Sequence, residues 1–134
     1  PWGGFICIEE DDIDVFLYQF FPQVERKNLG TGKLSPKILI VAPGKRLSWQ
    51  YHNRRSEKWK VIGGQVGVIT SNSDEEREKQ ILQAGEVIEL QNRERHRLIG
   101  LQEWGIVAEI WMHTDKDNPS DEDDIIRLQD DFGR

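Results

Sequence analysis

Residues 44–64 read Gly44-Lys45-Arg46-Leu47-Ser48-Trp49-Gln50-Tyr51-His52-Asn53-Arg54-Arg55-Ser56-Glu57-Lys58-Trp59-Lys60-Val61-Ile62-Gly63-Gly64. Leu47, Trp49 and Tyr51 alternate with Ser48, Gln50 and His52, the period of a strand with one apolar and one polar face. Residues 53–56 form a short polar turn, and a second strand runs through Trp59 to the turn signal Gly63-Gly64. Gln50 and His52, two apart on a strand, point to the same side. With Leu47, Trp49 and Tyr51 packed on the other side, the polar face lines a cavity. Glu57 can return to that cavity from the next strand.

Working outward, the same short β segments recur between turn residues. Residues 13–20 are rich in β-branched and aromatic side chains and read as a strand. Residues 37–41 form an apolar run after Pro36 that closes at Pro43-Gly44. Residues 65–70 make another strand, followed by a polar loop over 71–79. Gly85 opens 86–90, and 95–99 and 105–112 complete the set. The end of the chain differs. Ser120 precedes Asp121, Glu122, Asp123 and Asp124, and then Ile125, Ile126 and Leu128, which predicts a short C-terminal helix with a Ser cap and acids at its positive end. No repeat, low-complexity tract or linker is visible. Many short strands at regular spacing predict an all-β sandwich or barrel, and 134 residues suit one domain over 1–134.

Composition narrows the partners. No apolar run approaches the roughly 20 residues of a membrane helix, and no charged-then-apolar leader is visible. Cys7 is the one cysteine, which fits a reducing cytoplasm, and its apolar neighbours Ile6 and Ile8 predict a buried, inert thiol. The net charge of −6 is uneven: residues 9–14 hold five acids and no base, and residues 115–134 hold eight acids and three bases. The remainder is net positive, with bases clustered at Lys45, Arg46, Arg54, Arg55, Lys58, Lys60 and at Arg93, Arg95, Arg97. This balance argues against nucleic-acid binding and permits a small anionic ligand such as a phosphorylated sugar.

A second Gly-framed block, Gly85-x5-Gln91-x-Arg93-x2-His96, brings another imidazole to the start of a strand about 40 residues after the first. Gln50, His52, Glu57 and His96 then form a mixed N/O donor set that suits one divalent metal ion. Zinc is the leading choice, with cobalt, nickel, manganese or iron as alternatives. His113 lacks such a frame and reads as surface.

The two blocks resemble the two cupin motifs. The first carries Gln50 where cupins usually have His. The second has Gln91, Arg93 and Gly100 in place of the usual Pro, Gly and Asn, so the turn before His96 is built differently. A closer resemblance spans nearly the whole chain. Pro1-Trp2-Gly3, residues 37–44, Leu47-Ser48-x-Gln50-x-His52, Arg55-x-Glu57-x-Trp59 and His96-Arg97-Leu98 are similar to the type II mannose-6-phosphate isomerase cupin. So is the tail, Glu122-Asp123-Asp124-Ile125-Ile126-Arg127 through Asp131-Phe132-Gly133-Arg134.

The resemblance implies a cupin double-stranded β-helix, that is, a jelly-roll barrel. It also implies a metal-dependent aldose–ketose isomerase that interconverts mannose 6-phosphate and fructose 6-phosphate through a cis-enediol. In that family the cupin is often fused to a mannose-1-phosphate guanylyltransferase. This chain has no room for that domain, so nucleotidyltransferase activity is not expected. The resemblance assigns the metal to Gln50, His52, Glu57 and His96. It gives Arg55 an electrostatic or catalytic role near the enediolate or phosphate, with Lys37 beside it, and makes Arg97, Glu109 and Arg127 substrate contacts. Arg127 has the alternative of an ion pair with neighbouring acids, and the proton-moving base is not evident. By analogy, cupins commonly form homodimers. Two other readings stand beside the isomerase: a non-catalytic metal- or sugar-binding cupin, and another cupin enzyme such as an epimerase or oxygenase.

Overall fold

Alternation of buried and half-exposed residues organises the chain in a computed structural model, which describes residues 1–30 and 32–133; Thr31 and Arg134, the end of the tail block quoted above, lie outside the described residues. Strand β2 (Lys37–Val41) buries Lys37, Leu39 and Val41, and strand β4 (Arg55–Gly63) buries Arg55, Glu57, Trp59 and Val61. Two antiparallel sheets result. In the first, β1 (Gly3–Cys7), β2, β9 (Gly105–His113), β4 and β7 (Val87–Leu90) lie in the order β1-β2-β9-β4-β7. In the second, β10 (Ile126–Gln129), β3 (Trp49–Tyr51), β8 (Arg95–Gly100), β5 (Gln65–Ser71) and β6 (Gln80–Gln83) lie in the order β10-β3-β8-β5-β6. This is the jelly-roll arrangement that the cupin resemblance implies. The turn from β4 into β5 needs glycine at Gly64: its φ is 66°, and a Cβ there would meet the Trp104 carbonyl oxygen at 2.4 Å.

The inner faces of both sheets share one apolar core, which includes Leu39, Val41, Trp59, Val61, Val66, Val68, Leu98 and Val107. A second core lies outside the first sheet, where Ile13, Phe16, Leu17, Phe21, Leu29 and Leu34 cover Ala108 and Ile110. Strand β9 is therefore buried on both faces, which explains its nearly continuous apolar run.

Three expectations are corrected. Residues 13–20 form a helix, α1 (Ile13–Phe20), rather than a strand. Ile13, Phe16 and Leu17 are buried while Val15 and Tyr18 point to solvent, so the 3.6-residue period outweighs β-branched and aromatic content. The short helix of the fold is thus near the N-terminus, and the predicted C-terminal helix is absent. Residues 120–125 are turn and coil, and β10 pairs with β3, Arg127 opposite Gln50. The polar groups that suggested a cap are spent on tertiary contacts. The Asp124 carboxylate accepts the backbone N–H groups of Asn53 (2.9 Å) and Arg54 (3.0 Å), and the Ser120 hydroxyl donates to Asp124 at 2.6 Å. Cys7 is exposed rather than buried, because β1 is an edge strand. No helix among the described residues is long and apolar enough to cross a membrane.

Candidate metal centre

The inner faces of β3, β4 and β8 converge at one end of the barrel. β3 and β8 pair with Gln50 opposite His96, and the turn after β3 carries His52 to the start of β4, where Glu57 faces inward. His52 Nε2 lies 3.4 Å from Glu57 Oε2, and His96 Nε2 lies 3.7 Å from Glu57 Oε1. Ligand atoms of His52, Glu57 and His96 all fall within 4.8 Å of one another, and all three residues are buried.

Each imidazole is held in one tautomer. His52 Nδ1–H donates to the Asp124 carbonyl at 2.7 Å, and His96 Nδ1–H donates to the Glu94 carbonyl at 3.0 Å. Both Nε2 lone pairs therefore face Glu57, the second-layer arrangement typical of metal-binding histidines. Burial lowers the pKa of His52 to about 4 and lowers that of His96, so both rings are neutral at pH 7. For Glu57, burial works against the charge, but His52 and His96, once protonated in acid, together with Arg55 outweigh it and hold the carboxylate well below its usual range. Among the described residues, His96 Nε2 is buried with no hydrogen-bond partner. An unpaired acceptor in a dry site is costly, and a cation facing two imidazoles and a carboxylate would satisfy it. The donor set thus fits a divalent metal held by His52, Glu57 and His96.

Gln50 lies beside this trio but presents its amide nitrogen, with Nε2 at 3.4 Å from His52 Nε2, while the Ser48 hydroxyl donates to its Oε1 at 2.5 Å. A hydroxyl can donate or accept, so turning the amide over would keep the Ser48 bond and aim Oε1 at the trio.

Arg55 connects the trio to the tail. Its Nε–H donates to Glu57 Oε2 at 2.8 Å, its Nη1 donates to Ser120 Oγ (2.9 Å) and the Asp121 carbonyl (3.0 Å), and its guanidinium stacks on Trp111 at 3.6 Å. Glu109 is buried next to them. Trp59 Nε1–H donates to its Oε1 at 2.9 Å and Trp111 Nε1–H to its Oε2 at 3.3 Å. Burial, reinforced by the negative charge of Glu57, pushes the Glu109 carboxyl up to about 8 against the pull of Arg55 and Lys37. A cavity of about 100 Å³ opens here, and Lys37, Gln50, Arg55, Glu57, Glu109 and Arg127 all line it.

Arg97 is not brought to this cavity. It neighbours His96 on β8 and points to the opposite face. There its Nε–H donates to the Leu47 carbonyl at 2.8 Å, and its other nitrogens hold Glu76 and Gln129. It braces the loop after β5 and strand β10. Trp49 is buried on that outer face too, with Nε1–H donating to the Asp74 carbonyl. His113 is half-buried rather than free at the surface: Nε2 meets the Lys33 carbonyl and Nδ1 accepts the Ser120 N–H. Ser120 and Asp124 escaped the sequence reading because their roles look local in sequence and are long-range in space.

A family model described as mannose-6-phosphate isomerase C-terminal matches residues 10–130. The chain belongs to this family. No curated protein matches it. Among solved structures, this family member is similar to CapF with the inhibitor 3-isopropenyl-tropolone, at 16% identity and a TM-score of 0.65, over 96% of this chain and 32% of that one. It is similar to recombinant oxalate oxidase in complex with glycolate, at 18% identity and a TM-score of 0.57, over 71% of this chain and 46% of that one. It also resembles a Cupin 2 conserved barrel domain protein from Salinispora arenicola CNS-205, at 20% identity and a TM-score of 0.50, over 59% and 62% of the two chains. The cupin fold is what these likenesses share. The chain spans less than half the length of the first two.

Proposed function

We propose that the chain is a metal-dependent sugar-phosphate isomerase that interconverts mannose 6-phosphate and fructose 6-phosphate through a cis-enediol. The observation that carries this reading is the pair of neutral imidazoles aimed at one buried carboxylate, His96 Nε2 unpaired, in a cavity also lined by Lys37, Arg55, Glu109 and Arg127. Family membership supports it. A bound divalent ion would supply Lewis-acid polarisation of neighbouring carbonyl and hydroxyl oxygens.

This chain's own residues supply the rest. His52, Glu57 and His96 would hold the ion, and Gln50, with its amide turned over, would offer its oxygen beside them. Arg55, its guanidinium fixed against Trp111, faces the negative charge that develops on the enediolate oxygens. Burial raises the Glu109 carboxyl toward its protonated form, and two indole N–H groups hold it in place. In that form it can donate its proton to a sugar oxygen, and the carboxylate left behind can take the proton from carbon. Lys37 and Arg127 attract the phosphate.

A second reading, a metal- or sugar-binding cupin without turnover, draws on the size of the cavity. About 100 Å³ holds only a few waters, and residues 120–124 lie across Arg55 and Lys37.

The deciding assay couples mannose 6-phosphate conversion to NADPH formation, with metal-stripped protein and then with zinc, cobalt, manganese or nickel restored. Turnover that needs metal and disappears in His52→Ala is expected. Metal-loaded protein that binds mannose 6-phosphate without converting it would move the assignment to the second reading.

A further inference from the structure

The mouth of the cavity holds an ion pair whose acid, Glu122, has no part in the isomerase reading. Lys37 Nζ lies 2.5 Å from Glu122 Oε1. The two partners differ sharply: the Lys37 side chain is 8% exposed and that of Glu122 is 66% exposed. Lys37 cannot easily turn away, because its ammonium sits 4.4 Å from the centre of the Trp111 ring and 5.2 Å from that of Phe5. A cation placed against two aromatic faces and largely cut off from water needs an anion on its open side. Its neighbour across the β2–β9 pairing, Glu109, has both carboxyl oxygens turned to Trp59 and Trp111. Glu122 supplies the anion instead.

The backbone around Glu122 is tied down independently of this contact. The Asp121 carbonyl accepts Arg55 Nη1–H, the Asp124 N–H donates to the same carbonyl, and the Asp124 carbonyl accepts His52 Nδ1–H. Glu122 can therefore swing its carboxylate into solvent by side-chain rotation while the segment that supports His52 and Arg55 stays in place. Arg127, on β10, lines the same cavity, and its side chain has no hydrogen-bond or ion-pair partner among the described residues.

We propose that Lys37 and Arg127 form the subsite for the phosphate monoester of the ligand, and that Glu122 is a side-chain latch which occupies Lys37 until that phosphate displaces it. The proposal rests on the sugar-phosphate reading for its ligand. The latch makes the site selective by charge: a phosphate dianion outbids a single carboxylate at Lys37, whereas a neutral sugar has nothing to offer there and leaves the latch shut.

The test is calorimetric titration of the full chain with inorganic phosphate, mannose 6-phosphate and mannose. Glu122→Gln removes the competing charge at an exposed position with little risk to folding. It should tighten inorganic phosphate and mannose 6-phosphate about five-fold or more, in keeping with a half-buried ion pair, and leave mannose unchanged. In Lys37→Met the Glu122→Gln gain should vanish. Unchanged or weaker phosphate binding in Glu122→Gln, or a gain that survives Lys37→Met, overturns the latch. Inorganic phosphate separates this from the isomerase reading. A phosphate gain in protein that never converts mannose 6-phosphate keeps the subsite and removes the isomerase. Turnover without the gain keeps the isomerase and removes the latch.

Discussion

The two ends of the barrel interior are built from the same strands and differ in chemistry. β4 contributes Val61 to one end and Arg55 and Glu57 to the other; β8 contributes Leu98 and His96; β9 contributes Val107 and Glu109; β2 contributes Val41 and Lys37. At the apolar end, burial alone is favourable, at roughly 25 cal/mol per Å² removed from water. At the polar end, the same burial costs free energy unless every group finds a partner. Nearly all of them do: His52 on Asp124, Glu57 on Arg55 and Trp59, Glu109 on two indoles. Among the described residues, His96 Nε2 alone does not. The difference teaches that the closed end holds the fold together and the open end is tolerated for what it can bind.

The two ends should therefore respond differently to mutation and to acid. The largest effect falls at the closed end. Leu98 is fully buried, and Leu98→Ala should cost about 2–5 kcal/mol in urea unfolding, with zinc affinity little changed in the protein that remains folded. Comparable zinc loss would break the comparison.

Acid acts on the open end. His52 has a folded pKa of about 4 against an ordinary 6.5, so the unfolded chain takes up the proton first. Stability of metal-free protein is then full above about pH 6.5 and falls as pH drops toward 4. His52 alone accounts for a loss on the order of 3 kcal/mol, and His96 shifts in the same direction. Urea midpoints measured from pH 7.5 to 4 check this. A flat profile through that window would mean that the rings are not buried neutral.

The smallest stability effect is expected at His96 itself. His96→Leu removes the unpaired nitrogen at similar volume but also the Nδ1–H bond to the Glu94 carbonyl, and the two changes offset, so metal-free stability should hold within about 1 kcal/mol. Zinc affinity, read by chelator competition, should fall 100-fold or more. A loss of several kcal/mol without metal would make His96 a structural residue.

The cupin barrel and all three residues of the candidate metal trio were legible in sequence because their signals are local. Strand alternation over 47–52, the Gly63-Gly64 turn and the two-residue spacing of Gln50 and His52 need nothing beyond backbone geometry. The turn before His96 was legible only as a departure, and the structure shows its form: Arg93 takes φ 65° where the cupin motif has glycine, and its N–H donates to the His52 carbonyl. Helix α1 was hidden by composition, since its apolar stripe acquires meaning only when the outer face of β9 is there to be covered.

By itself, then, the sequence determined where strands run, where they turn and which side chains could share a polar face, since steric and hydrogen-bonding preferences act over a few residues. The tertiary structure decided which groups meet from far apart. Arg97 faces away from the cavity, Ser120 and Asp124 hold Arg55 and His52 instead of capping a helix, and Glu122 reaches Lys37 across 85 positions of chain. Such pairings depend on how two sheets close around one interior, and no short-range preference encodes that.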